Sequence, residues 1–489
     1  MAAEIDSAFN PIGWVQFRLN GGMKRLIPLV CIYAGAMAFF NVLFFRGSGE
    51  YLTLSRFAAG SLTLTIVISA ILIILVGAGA INKTILRDFS SDMITSHRST
   101  AMSGRMAVVG YLTGPTATIL GLTVVNWFAC TVLAQLAGLS WYAPSFLFVA
   151  LACLALVAWT GSVLAGLSYR GKLSFAALLM PLSFLAFIPP LAEFLTAHPG
   201  LALLLNYNVI YNMSSAATSS ISPDAAKSIV ISMLFQIVLA LTFFIAASRR
   251  YLRDDVPAFT QPLAFALVAL CTLACAIGLT LPNSVTIRIQ SKMADVSTQV
   301  LATIISLALV ALLPVANAAR SAVQWSKRRK KDAAFKAPRP RGTWETAVAA
   351  TIVVFGILAM VNQTSMVDAL DTGNVPLKQA MGYLVASFLL ALLTFGGALR
   401  FSYAYVQSAA WVLLILLIAT WALPLVGDLT LEYANERHAD APKSIMFSSS
   451  PLGMWILLMK NTPGPLVPGI IVQAVIAAAA QIVSRRAKY

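Results

Sequence analysis

The feature that most constrains this chain is the recurrence of uncharged apolar runs about twenty residues long, separated by short basic connections. A helix of about 20 apolar residues crosses a hydrocarbon layer of ~30 Å. By that measure the sequence predicts twelve spans. Six lie near 26–46, 60–81, 112–137, 145–167, 174–196 and 228–247. The other six lie near 261–281, 297–317, 346–362, 379–399, 404–426 and 466–484. Composition closes off the alternatives. Only 11% of the 489 residues are charged and 59% are hydrophobic, whereas soluble domains carry roughly 25% charge. A water-soluble enzyme, a disordered scaffold and a fibrous repeat are all excluded, leaving an all-α polytopic membrane protein.

A net charge of +16 would suit a nucleic-acid partner, but membrane proteins gather Lys and Arg in cytoplasmic loops. The twelve spans put nine basic residues outside: Arg46, Arg56, Lys227, Arg288, Lys292, Lys378, Arg437, Lys443 and Lys460. The remaining 25 of the 34 fall inside. That asymmetry predicts both termini in the cytoplasm and assigns the charge to topology, with no nucleic acid as partner. Acidic residues show no such bias. Loop lengths repeat as well. Long inside connectors follow the second and eighth spans (82–111 and 318–345), and long outside loops precede the sixth and twelfth. The chain is therefore expected to hold two parallel six-helix halves, 1–255 and 256–489, divided near Pro257 and related by an axis normal to the membrane.

Motifs for chemistry are scarce. The five cysteines (Cys31, Cys130, Cys153, Cys271 and Cys275) sit in apolar runs as small hydrophobes. Cys271 and Cys275 share a helix face, but no His or acidic neighbour joins them as a metal ligand. Gly166–Lys172 (GLSYRGK) has the glycine and lysine of a phosphate loop, yet Leu173 stands where Ser or Thr must hold Mg²⁺. Intramembrane enzymes need a nucleophile with a base, or a metal cluster, and neither pattern occurs; the expectation is no enzyme and no cofactor in this chain. Ion-coupled carriers place ionisable groups at mid-membrane. Here Glu193, Lys292 and Asp295 sit at span ends, and His97, His198 and His438 sit in connections. The first apolar run, from Leu26, has no small-residue cleavage site after it, which predicts no cleavable signal.

The most informative segment is Ile81–Gly114. Ile85, Phe89, Met93 and Ile94 recur near helical spacing, while Arg87, Asp88, Asp92, His97 and Arg98 mark the opposite face. Two readings stand: an amphipathic stretch lying on the membrane surface, or a charged helix on which a cytoplasmic partner pushes. Gly110-x-x-x-Gly114, before Pro115, allows close helix packing. Asn126, Gln135, Gln236 and Asn362 are polar groups within or near spans; they either bond neighbouring helices or line a substrate path. The Lys327–Lys331 run (KRRKK) suits anionic headgroups.

Taken together, these residues resemble the membrane subunits of ABC-2 type transporters, the type V exporter fold. The resemblance rests on Phe9-Asn10-Pro11-Ile12 before Trp14 and Phe17, on Asp88-Phe89 followed by Met93-Ile94, and on Arg98 to Gly104 before Val109-Gly110-Tyr111. Ala101 replaces the family's usual proline, and its Glu-Gly pair is absent. The resemblance implies a separate cytoplasmic ATP-binding-cassette subunit that carries the ATP and Mg. It implies coupling through the connector, with Arg87, Asp88, Asp92, Met93, His97, Arg98, Ser103 and Arg105 as candidates; Asn126, Gln135 and Gln236 are the candidates for a substrate path, the minority reading of those polar groups beside interhelical bonding. Short re-entrant segments are implied at Leu201–Tyr211 and Ser450–Lys460, the alternative for both being the buried core of a small external cap; an exoplasmic or periplasmic accessory protein is a further expected partner beside the lipid bilayer. The expected location is the cell (inner) membrane. A secondary carrier and a non-transporting membrane scaffold are the alternatives.

Overall fold

The computed structural model describes residues 10–47, 53–99, 102–140, 142–169, 203, 223–252, 258–280, 303–319, 349, 352–353, 377–405, 415–434, 444–460 and 464–486. Among them no strand occurs. They divide into two compact units that part in the sequence between Ala258 and Phe259.

The first unit opens with helix α1, Pro11–Leu19. Pro11 fits the first turn, where no amide partner is needed, and the Asn10 side chain caps it by accepting from the Gly13 amide at 3.1 Å. Gly21 and Gly22 have φ of 98° and 57°, a left-handed turn that glycine adopts without strain, and it redirects the chain into α2, Gly22–Gly47. Helix α3 runs from Leu54 to Ser90, capped by Thr53 and interrupted by a π-helical stretch at Ile71–Val76. Its 37 residues extend about 55 Å, well beyond the ~30 Å hydrocarbon layer. The apolar part ends at Ile81, so Asn82–Ser90 projects from it. Asp92, at φ 57°, then breaks the chain before α4, Met93–Ser99. Helices α5 (Gly104–Thr113), α6 (Ala117–Leu136), α7 (Tyr142–Tyr169) and α8 (Pro223–Leu252) complete the unit.

Two apolar cores hold it. Ile81, Ile85, Ile94, Val108, Trp159, Val163 and Leu167 fill the end near the connector, and Leu62, Ile66, Leu133, Leu147, Leu151 and Ile229 fill the other. On α6 the inner stripe is Thr123, Asn126, Cys130 and Leu133, while Leu120, Val124, Phe128 and Val132 at four-residue intervals are exposed. So large an open apolar stripe is a lipid-facing surface in a chain of this composition.

In the second unit, α9 (Gln261–Thr280) and α10 (Thr303–Ala319) precede α11 (Leu377–Tyr405). A π turn at Ile418–Ala422 leads into α12 (Leu423–Ala434), then come α13 (Ile445–Ser449), α14 (Pro451–Lys460) and α15 (Leu466–Arg486). An aromatic nest of Phe388, Phe395, Trp421 and Trp455 anchors these helices, with the two indoles edge to face at 5.3 Å between centroids.

Eight described helices are long and apolar enough to cross a membrane. The chain is a multi-pass, all-helical membrane protein by that criterion. The expected spans 26–46, 60–81, 112–137, 145–167, 228–247, 261–281, 379–399 and 466–484 each overlap one of the eight. Those at 297–317 and 404–426 overlap the shorter apolar helices Thr303–Ala319 and Ile415–Asp428. The span at 174–196 lies outside the described residues, as does most of 346–362 and of the 318–345 loop. Gly166 belongs to α7 and packs against Ile85, so it forms no phosphate loop. Of Ser450–Lys460, Pro451–Lys460 is a short helix with Met454, Trp455 and Leu458 in the unit's core and Leu457 also buried; of its first-half counterpart, only Leu203 is described.

Candidate functional site

Where α3 leaves its apolar stretch, a polar joint is buried at its end. Asp88 is fully buried. Its Oδ2 accepts two hydrogen bonds, from Gln16 Nε2 on α1 and from the Tyr111 hydroxyl on α5, each 2.8 Å long. Arg87 reaches from the same turn, its Nε 4.0 Å from Asp88 Oδ1, and donates through Nη2 to Gln16 Oε1. A buried carboxylate needs such donors, because desolvation without them costs several kcal/mol. Burial, and next the Asp88 charge, push the Tyr111 hydroxyl above its usual pKa, so it stays protonated and donates. Tyr111 in turn faces Tyr251 of α8 at 6.4 Å between rings, and the Arg98 guanidinium of α4 lies 5.9 Å above the Tyr251 ring.

The backbones meet closely here. A Cβ at Gly110 would lie 2.6 Å from Asn10 Oδ1 and 2.7 Å from the Ile12 Cβ. One at Gly114 would lie 2.6 Å from the Gly13 carbonyl oxygen. Asn10 Nδ2 also donates to the Met106 carbonyl. The Gly110-x-x-x-Gly114 pattern is therefore the seat of α1. Gly104 lies against the Ser248 carbonyl in the same way, its would-be Cβ 2.2 Å from that oxygen, and ties α5 to α8. Higher on α3, the Trp159 indole N–H donates to the Ile73 carbonyl at 2.7 Å, within the π-helical stretch.

The expected coupling residues separate into two sets. Asp88 is not on an outward charged face. Asp88 follows Ile85 by three residues in one unbroken helix and shares its inward face, while the helix ends at Ser90 and restarts after Asp92, so the period through Ile85, Phe89, Met93 and Ile94 does not run unbroken. Asp92, Ser103 and Arg105 are exposed, while Arg87, Met93, His97 and Arg98 are half-buried around the joint. Ser103 caps α5 by accepting from the Met106 amide, and Asp92 Oδ1 accepts from the Thr95 hydroxyl at 2.7 Å.

The expected substrate-path residues differ in setting. Asn126 is buried and accepts from the Tyr33 hydroxyl of α2 at 2.8 Å. Gln236 is buried beside Ser232 on α8. Gln135 is exposed at the end of α6. Asn362 lies outside the described residues. Sequence reasoning missed Gln16, although an amide in the otherwise apolar PIGWVQF stretch was the available signal. It also missed Tyr251, which nothing local marks. Among the described residues no group of three His, Cys, Asp or Glu side chains could hold a metal ion.

The arrangement joins elements: Asp88 fastens α1, α5 and the projecting end of α3 into one block. No protein-family model, curated protein or solved structure matches the chain.

Proposed function

We propose that this chain is the membrane-spanning permease subunit of an ATP-driven exporter of the ABC-2 kind, with twelve spans in two six-helix halves and both termini cytoplasmic in a cell (inner) membrane. The observation that carries the reading is the buried Asp88 joint. A force delivered to the connector is useful only if it reaches the spans without being absorbed at the membrane surface. The projecting end of α3 is continuous with a membrane-length helix, and Asp88 locks it to α1 and α5. A separate ATPase subunit would supply ATP and Mg and push on the exposed residues of this block, Asp92, Ser103 and Arg105. Displacement of the block would then tilt α3 and α5 together and open a path for the substrate.

Purification in mild detergent tests the proposal, followed by flux in vesicles. Recovery of an ATP-binding-cassette subunit with the chain, and transport that stops on ATP depletion, are the expected results. Recovery of the chain alone, with flux that follows an ion gradient and ignores ATP, would replace this reading with a secondary carrier.

A further inference from the structure

The corner between α1 and α2 carries a surface that the joint does not use. The inner face of α1 (Ile12, Gly13 and Gln16) is buried, while Val15, Leu19 and Met23 are exposed. Among these apolar side chains stand three exposed cations, Arg18, Lys24 and Arg25. The Arg18 guanidinium lies 4.6 Å over the Trp14 ring. A Cβ at Gly21 would come within 2.7 Å of the Arg25 side chain, so the turn lets the Arg25 stem fold back across the corner. No acidic residue occurs from Pro11 to Gly47, and the nearby Asp88 is buried and taken up by Gln16, Tyr111 and Arg87.

We propose that this corner binds the phosphate of anionic phospholipid headgroups, held by Arg18, Lys24 and Arg25 around Trp14. Lipid is favoured over an acidic protein face by what α2 does next. It is a span-length apolar helix with no fully buried residue in its apolar window, touching α6 through Leu26, Val30 and Tyr33 and leaving Ile27, Leu29, Ile32, Phe39 and Phe40 exposed. Bilayer covers those open faces, and headgroups meet its first turn. Cations interleaved with exposed Val15, Leu19 and Met23 match that boundary, where stems lie in the apolar layer and charges reach the phosphates. The inference does not depend on an ATPase partner.

The full chain is reconstituted in phosphatidylcholine vesicles containing a minor, equal fraction of brominated phosphatidylglycerol or brominated phosphatidylcholine. Trp14 emission is taken as the difference from a Trp14→Phe variant. Each cation near a charged surface counts for about fivefold in partitioning, so three give a preference on the order of a hundredfold. Brominated phosphatidylglycerol is expected to quench Trp14 far beyond its bulk fraction. In R18Q/K24Q/R25Q the two brominated lipids should quench alike, while R46Q/R56Q, which alters exposed cations elsewhere, should keep the preference. Retained quenching by brominated phosphatidylcholine shows that the triple variant is still folded and embedded. Equal quenching by both lipids in the unaltered protein would overturn the proposal. So would a preference that survives the triple change, or no quenching by either lipid.

Discussion

Replacing Asp88 tests the joint directly, because both of its donors converge on one oxygen. In Asp88→Asn the amide oxygen can take the place of Oδ2 and still accept from Gln16 and Tyr111. What is lost is the charge, which roughly doubles the strength of such bonds; the amide NH₂ also comes to stand beside the Arg87 guanidinium. A cost of about 1–2 kcal/mol follows. In Asp88→Ala both bonds go, and two donors are left buried without the acceptor they face. Breaking a buried charged network in this way costs about 3–5 kcal/mol. Unfolding by titration with a denaturing detergent, followed by loss of helicity, measures both changes. The order must be wild type, then Asn, then Ala. Limited trypsin cleavage after Arg18 should accelerate in the same order as α1 loosens. If Asp88→Asn unfolds with the wild type, or Asp88→Ala costs less than about 1 kcal/mol, the joint does not hold α1 and the coupling argument built on it fails.

Gly110→Ala should cost about 1–3 kcal/mol and speed cleavage after Arg18, since its methyl would collide with Asn10 and Ile12; unchanged proteolysis would count against the close approach. Asp92 sits at φ 57°, so Asp92→Val should destabilise by about 1–2 kcal/mol, while Asp92→Gly should stay close to wild type in the same unfolding titration. Trp159→Phe removes the donor to the Ile73 carbonyl and should cost about 1–3 kcal/mol, with faster amide exchange at residues 71–76 as the local readout. In the second unit Gln473 accepts from Ser387 and donates to the Ser448 carbonyl. Gln473→Leu should loosen α13 against α15 and raise proteolysis near Ser449.

The spans were legible because about twenty uncharged residues admit few other fates, and eight of them recur as long apolar helices. The Gly110 and Gly114 spacing was legible as close packing, though not its partner, because a small-residue pattern marks a surface and not what lies on it. Asp88 was misplaced for a physical reason. Ile85 and Asp88 are three residues apart in one helix and share its inward face, so the charge at Asp88 marks no outward side; Met93 and Ile94 belong to a separate helix beyond the break that Asp92 makes with a backbone conformation few side chains adopt. Gln16 and Asp88 lie 72 residues apart, and a hydrogen bond between distant segments leaves no local period. Asn126 shows the ordinary use of an amide inside a membrane protein, bonding one helix to the next.

The π-helical stretch at Ile71–Val76 also sets the phase of everything beyond it. Ala58, Leu62, Thr65 and Ser69 form one buried line along α3, and Ala78, Ile81, Ile85 and Asp88 form another. At about 100° per residue, an unbroken α-helix would carry Asp88 roughly 100° away from the first line. One residue of slack in the π stretch brings the two lines into register. Asp88 faces Gln16 and Tyr111 only because the helix contains that extra residue some four turns earlier. Deleting one residue there would shorten the apolar stretch by a single residue and leave every residue of the joint in place. It would nonetheless swing the carboxylate out from between its donors.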